Sequence, residues 1–336
     1  MHWILAAICL VLASPAWCAA DGAPPARTGI LIYDGRGHVT PEGFPESATR
    51  IEAIEKRLTD GGLLDRAVRF RAKAATDDEL KLVHGDGYIE RARAACAAGK
   101  PYLDRRDVPI SKGSEQAARE AAGSVLGVLD AVMAGRIDNA FCAIRPPGHH
   151  AGRDQAMGFC IYNNAAIAAR YLQQKHKVKR ILIVDWDVHH GNGTQAAFEA
   201  DPTVFYFSVH QAPFYPGTGA ADDAGTTPAA GTKLNVPLPA GSGDKEAIAA
   251  LRDRLMPAAN KFKPDFILIS AGFDAHADDP IGGLMVSSAG YAELTRVVKK
   301  IADQQCHGRL VSLLEGGYNP QALAQSAEAH SRTLME

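Results

Sequence analysis

The stretch Arg180-Ile181-Leu182-Ile183-Val184 and the Asp185-Trp186-Asp187-Val188-His189-His190-Gly191-Asn192-Gly193-Thr194 that follows it constrain this chain more than any other. The apolar residues are rich in β-branched side chains and read as a strand buried on both faces. Two carboxylates and two imidazoles then arrive within six residues. On an extended segment alternate side chains share a face. Asp185, Asp187 and His189 are therefore expected to point the same way. Buried carboxylates so close together are unfavourable unless something positive sits between them. Aspartate is also a poor strand former. Its recurrence in register with a histidine points to a metal ion rather than to a strand end dissolving into a polar loop.

The rest of the chain repeats this layout. Apolar runs at 28–33, 140–144, 181–184, 204–208, 266–270 and 310–314 read as strands. Segments 115–134, 164–174, 194–200, 245–262, 288–303 and 321–333 read as helices, with Pro257 a candidate break in the fourth. Ile51, Ile54 and Leu58 mark one face of a further helix that Gly61-Gly62 ends. Residues 77–98 read as helical, interrupted near His84-Gly85-Asp86-Gly87. Strands alternating with helices predict an α/β fold: a mainly parallel central sheet with helices on both faces. Nearly every unusual polar residue falls just after a strand, and in open α/β sheets ligands bind at the carboxyl ends of strands. The dispersed loops should converge in one crevice. No composition shift, repeat or linker divides the chain after Thr28.

The residue types suggest what that crevice does. Asp187, His189 and Asp274 are candidate metal ligands, two oxygens and one nitrogen. Three protein ligands with an open position suit catalytic zinc, and the two carboxylates make Fe(II) or Mn(II) conceivable. A second metal would need a further carboxylate two residues after His189, where Gly191 stands, so one catalytic metal is favoured. His149 and His150 follow Pro146-Pro147-Gly148, a stiff turn. Asp185 is the natural partner for one imidazole and Asn192 for the other. A charged partner keeps its histidine more readily protonated than an amide does, so the pair can divide into an electrostatic stabiliser and a general base. The Tyr318 hydroxyl, after Gly316-Gly317, could donate to an oxyanion. Gly158-Phe159 and Phe214-Tyr215-Pro216-Gly217 offer aromatics for a slot that takes an extended aliphatic group.

Residues 1–20 differ from the rest. Ile4 to Ala13 is almost unbroken apolar sequence, Pro15 breaks it, and Cys18-Ala19-Ala20 suits signal-peptidase cleavage. The expected organisation is a signal peptide at 1–20, a flexible leader at 21–27 and one catalytic domain at 28–336. Export to a bacterial periplasm follows, with no stable membrane association after cleavage. The four cysteines left, Cys96, Cys142, Cys160 and Cys306, show no CxxC spacing for a zinc–thiolate site. Cys142 and Cys160 suit buried free thiols. Formal net charge is −2 with no basic run, so nucleic-acid binding through phosphates is not expected.

Five motifs in order carry a resemblance. They are Arg-Pro-Pro-Gly-His-His-Ala (145–151), Gly-Phe-Cys (158–160), the central motif from Asp185, Ser-Ala-Gly-Phe-Asp-Ala-His (270–276) and Glu-Gly-Gly-Tyr (315–318). Together they resemble the histone deacetylase family, above all its class II branch with the bacterial deacetylase-like amidohydrolases and acetylpolyamine amidohydrolases. The resemblance runs from about Thr28 to the C-terminus. It implies an arginase-like fold and a zinc-dependent amidohydrolase acting on a small acylated amine or an acyl-lysine peptide.

By the same resemblance, Asp187, His189 and Asp274 hold zinc and His150 is the general base and acid. His149 is its electrostatic partner, Tyr318 polarises the carbonyl, and Asp185 and Asn192 support the two histidines. Gly158, Phe159, Tyr215, Gly316 and Gly317 are the expected substrate-binding residues, with the Gly158 carbonyl accepting the scissile amide N–H. Arg50 corresponds to an arginine below the active site. A structural potassium ion is implied near Asp185, Asp187, His189, Ser208 and Val209. Tyr215 departs from the phenylalanine common at its position, which implies a more polar or wider tunnel. A non-catalytic acyl-amine binding protein and a dimetal ureohydrolase remain alternatives on the same pocket.

Overall fold

The structure is a computed structural model that describes residues 27–336. The expected signal segment and residues 21–26 of the expected leader lie outside the described residues. The strands are β1 (Thr28–Tyr33), β2 (Val68–Arg69), β3 (Asn139–Ile144), β4 (Ile181–Asp185), β5 (Val204–Gln211), β6 (Lys233–Leu238), β7 (Phe266–Ala271) and β8 (Leu310–Leu314). The main helices are α1 (Thr49–Asp60), α2 (Asp86–Ala97), α3 (Ser114–Met133), α4 (Asn164–His176), α5 (Ser288–Gln305) and α6 (Pro320–Met335). All strands pair in parallel, in the order β2-β1-β3-β8-β7-β4-β5-β6. Strands β3, β4, β7 and β8 are buried along their whole length. Their side chains feed two apolar cores, one on each face of the sheet. Burial on both faces is what an all-parallel sheet requires.

The expected α/β architecture is therefore the observed one, with two strands that the sequence reading lacked. β6 reads Lys-Leu-Asn-Val-Pro-Leu. Its proline and half-polar alternation suit an edge strand but blur the apolar signal. β2 is two residues long and exposed, too short to carry a pattern. Pro257 does interrupt the helix expected at 245–262. The chain passes through a π-helical turn, Ala250–Leu255, immediately before it. A proline has no N–H for the preceding turn and crowds the carbonyl four residues back, and a π turn is one way to relieve that. Among the described residues no helix is long and apolar enough to cross a membrane. Cys96, Cys142, Cys160 and Cys306 are all buried free thiols.

Strand order explains why distant motifs meet. β3, β8, β7, β4 and β5 are consecutive in the sheet, so the loops at their carboxyl ends share one edge. Behind that edge His330 of α6 ties two helices to the sheet. Its ring nitrogens meet Thr295 Oγ1 of α5 at 2.7 Å and Ser312 Oγ of β8 at 2.6 Å. Its ring packs edge-on against Phe141 and Trp186. Burial lowers its pKa to about 3, so it stays neutral in the fold. Below about pH 6.5 the unfolded chain binds a proton here that the folded chain refuses. This one residue is expected to subtract about 1.4 kcal/mol of stability per pH unit as pH falls from 6.5 towards 3. Denaturant titrations at several pH values should show a shallower acid slope in His330→Gln than in the parent chain.

Candidate active site

Strand β4 ends at Asp185, and the chain then turns rather than staying extended. Asp185 Oδ1 accepts the Asp187 N–H at 3.2 Å, and Asp187 Oδ1 accepts the His189 N–H at 2.9 Å. Each aspartate thus bonds the backbone two residues on, the local turn this side chain favours. The three side chains do converge, but through these turns and not through strand alternation as the sequence reading assumed. From β7, Asp274 arrives with Oδ1 accepting the Val188 N–H at 2.8 Å. From the loop after β8, the Gly316 N–H donates to Asp187 Oδ2 at 2.8 Å. Glycine is required at 316, since a methyl group there would collide with the Asp274 carboxylate.

Asp187, His189 and Asp274 are all buried, and one donor atom from each lies within 4.8 Å of the others. His189 Nδ1 is 3.0 Å from Asp187 Oδ1 and 3.3 Å from Asp274 Oδ2. Asp274 Oδ2 is buried with no hydrogen-bond partner. Burial, then the neighbouring Asp187 charge, pushes Asp274 up to about 7. An orphaned oxygen aimed at a second carboxylate and an imidazole is what a divalent cation would satisfy. The donor set fits zinc, and also Fe(II). Among the described residues these three are the group placed to hold a metal ion.

The histidine pair sits against this cluster, ring centroids 4.0 Å apart. His149 Nδ1 lies 3.1 Å from Asp185 Oδ2, and His150 Nδ1 lies 2.7 Å from Asn192 Oδ1. Both acceptors fix the proton on Nδ1, which leaves each Nε2 on the opposite side of its ring. Burial disfavours the charged form of His149, but Asp187, Asp185 and Glu315 more than offset it and hold its pKa well above the usual value. His150 lies well below, through burial and then the charges of His149 and His189. The two rings therefore differ, through the acids around His149 and through burial and positive neighbours at His150. Tyr206, which the sequence reading did not single out, donates its hydroxyl to Asp185 Oδ2 at 3.0 Å and accepts the Gly191 N–H at 3.1 Å.

A cavity of about 260 Å³ opens from this cluster, lined by Asp107, His150, Gly158, Phe159, His189, Phe214, Tyr215, Ile281 and Tyr318. Phe214 stacks on the His189 ring at 5.2 Å, and Phe159 meets Tyr318 edge-on at 5.7 Å. The Gly158 carbonyl accepts the Cys160 thiol at 3.2 Å. Tyr215 sets its ring edge-on to His150 at 5.2 Å, and its hydroxyl donates to Asp107 Oδ2 at 2.9 Å. Its polar atom is thereby tied to the pocket mouth. Gly316 and Gly317 do not line this cavity. Instead the Gly317 carbonyl accepts Arg50 Nε at 2.6 Å. Arg50 also donates to the Glu315 carbonyl and lies 5.0 Å over the Tyr318 ring. Ser208 and Val209 lie behind the site. Ser208 pairs in register with Asp185, and Val209 belongs to the apolar core.

The sequence reading quoted Glu315 only as part of a motif. Its buried Oε2 accepts the N–H groups of Gly148 and His149, at 2.7 and 3.1 Å. It therefore fixes the turn that presents the histidine pair. The signal was an acid directly after an apolar strand. Asp107 and Ile281 had no such signal. Glu315→Ala would leave two buried N–H groups without an acceptor, at about 1–3 kcal/mol each. Glu315→Gln keeps a carbonyl oxygen and is expected to lose markedly less. Urea denaturation of the two variants measures this, and equal losses would contradict the role.

Residues 44–334 match the family model described as "Histone deacetylase domain". The chain is 40% identical over 310 residues to "Histone deacetylase 15" of Arabidopsis thaliana, covering 91% of this chain and 55% of that protein. It is 41% identical over 276 residues to "Histone deacetylase-like amidohydrolase" of Pseudomonas aeruginosa, covering 82% and 72% respectively. Against "Histone deacetylase 5" of Arabidopsis thaliana it spans 49% of the relative's length, so the chain spans about half of these plant proteins. The solved structure "Crystal Structure of HDA15 HD domain" superposes with a TM-score of 0.86 at 38% identity, over 92% of this chain and 88% of that one. A matched family model across most of the chain, relatives at about 40% identity and a solved structure that superposes over nine-tenths of the chain lead to one conclusion: this chain belongs to the histone deacetylase family of deacetylases and amidohydrolases.

Proposed function

We propose that this protein is a zinc-dependent deacylase that hydrolyses an N-acyl amide to a carboxylate and an amine. The observation that carries the reading is the convergence of unlike groups on one cavity. An aspartate-paired histidine, an asparagine-paired histidine, a three-ligand cluster and a tyrosine hydroxyl meet at the base of an apolar slot. Asp187, His189 and Asp274 would hold the zinc. Bound there, zinc would polarise the acyl carbonyl and lower the pKa of water.

The chain's own groups supply the rest. His150, neutral with Nδ1–H committed to Asn192, takes the proton of the attacking water at Nε2. It then returns a proton to the departing amine nitrogen as the C–N bond breaks. His149 keeps its charge through Asp185 and steadies the negative charge that develops beside it. Tyr318 donates its hydroxyl to the carbonyl oxygen as that oxygen becomes anionic. The Gly158 carbonyl has a second lone pair for the scissile amide N–H. Phe159, Phe214 and Tyr215 enclose the aliphatic arm of the substrate. Such a slot suits a small acylated amine or an acyl-lysine peptide. Asp185, Asp187, His189, Ser208 and Val209 are the proposed surroundings of a structural potassium ion.

Acetate release from an acetyl-lysine peptide and from an acetylated diamine tests the reading. Tyr318→Phe is expected to lower turnover by about a hundredfold or more, on the scale of losing an oxyanion donor. Unchanged turnover would remove Tyr318 from the mechanism. Substrate binding without any acetate release would favour a non-catalytic binding protein. We also propose that residues 1–20 are an export signal. N-terminal sequencing of protein from fractionated cells should find a start near Asp21 outside the cytoplasm, whereas intact Met1 protein in the cytoplasm would refute export.

A further inference from the structure

Tyr318 follows two glycines, which leave its position to be set by hydrogen bonds from other loops. Gly316 and Gly317 join it to β8, and Gly317 has φ of +120°, a conformation that favours glycine. Neither residue has a side chain to lock the backbone. Arg50 lies over the phenol ring and Phe159 meets its edge. Those contacts guide the ring, and Asp187 and Arg50 tie the chain before it at the Gly316 N–H and the Gly317 carbonyl, which leaves the N–H groups of Tyr318 and Asn319 to be held. An oxyanion donor acts only if it is held in place before charge develops. The far side of the Tyr318 backbone needs its own anchor.

Asp279 is placed to do so. It lies in the loop after β7 and is 8% exposed. Its Oδ2 accepts the N–H of Tyr318 at 2.7 Å and that of Asn319 at 3.3 Å, while Oδ1 accepts the Ile281 N–H at 3.0 Å. These partners are all backbone N–H groups. A buried carboxylate held this way is a structural clip between two loops, one oxygen on each. A second tie runs in parallel, from Asn319 Nδ2 to the Asp278 carbonyl at 3.0 Å. Ile281, on the other prong, lines the slot.

We propose that Asp279 is a positioning residue for the acyl-transfer step: it clips the loop after β8 to the loop after β7 and so holds the Tyr318 hydroxyl against the acyl oxygen. The inference rests on the reading of Tyr318 as oxyanion donor. Asp279 does not itself line the slot, and its effect on the reaction runs through the tyrosine it positions. Its loss should therefore lower kcat while KM and metal content stay close to those of the parent protein. A role in folding alone would not depend on whether residue 318 carries a hydroxyl.

A double-mutant cycle on the full chain, with purified metal-loaded protein, separates these cases. Asp279→Ala is expected to lower kcat for acetyl-lysine peptide by about tenfold or more, and by less than about threefold in a Tyr318→Phe background, the non-additivity expected of residues acting as a unit. Should Asp279→Ala fail to fold, Asp279→Asn, which keeps one acceptor oxygen, is run through the same cycle and should show a smaller kcat loss with the same non-additivity. Equal losses in both backgrounds, or no loss from either Asp279 variant, would overturn the positioning role while leaving Tyr318 as donor. Full activity of Tyr318→Phe alone would overturn the donor reading and the inference with it.

Discussion

The fold carries two buried carboxylates, Asp187 and Asp274, to the same point at the edge of a parallel sheet, and the site follows from the need to hold them there. Neither is exposed by more than 1%. Backbone N–H groups of His189 and Gly316 hold Asp187, and that of Val188 holds one oxygen of Asp274. Those donors come from the loops after β4 and β8, so the two loops are fixed by the same charges they surround. What remains is one oxygen of Asp274 without a partner, facing an imidazole nitrogen. Desolvated negative charge in this arrangement is unstable without a cation.

The same field sorts the neighbouring groups. His149 lies between three acids and is held charged, while His150, one residue on, is held neutral by burial and by the charges of His149 and His189. Two histidines adjacent in sequence thereby acquire opposite chemistry from their surroundings. Beneath them a second buried network, centred on Glu46, links Arg145 at 2.8 and 2.9 Å and Arg50 at 3.3 Å. Burial alone would raise the Glu46 pKa, but His38 and Arg145 hold it well below the usual carboxylate range. Arg50 carries this network to the Gly317 carbonyl, next to Tyr318. The floor of the pocket is thus built from paired charges and its walls from aromatics.

Most of this was legible in the sequence, for identifiable reasons. β4 and β7 announce themselves because burial on both faces demands unbroken apolar runs. Asp187, His189, Asp274, His149 and His150 stand out because such residues rarely follow such strands. The partners Asp185 and Asn192 followed from the needs of an imidazole. What escaped is long-range or weakly patterned. Tyr206 looks like any core aromatic until its hydroxyl is seen on Asp185. Asp107 sits in a charged loop, and only the fold brings it to Tyr215. Asp279 stands beside Asp278, and nothing in the order of residues says which of the two turns inward. Gly316 leaves room for two carboxylates and Gly317 takes a left-handed backbone, needs that show only once the loops are brought together.

The central claim is that one divalent cation completes the cluster of Asp187, His189 and Asp274. Anomalous diffraction from crystals of the protein, collected on both sides of the zinc absorption edge, tests it directly. The account requires a single peak about 2.0–2.2 Å from a carboxylate oxygen of each aspartate and from His189 Nδ1, the distances zinc takes to such ligands. Two peaks bridged by the carboxylates, or none at this cluster in crystals grown with zinc present, would contradict it.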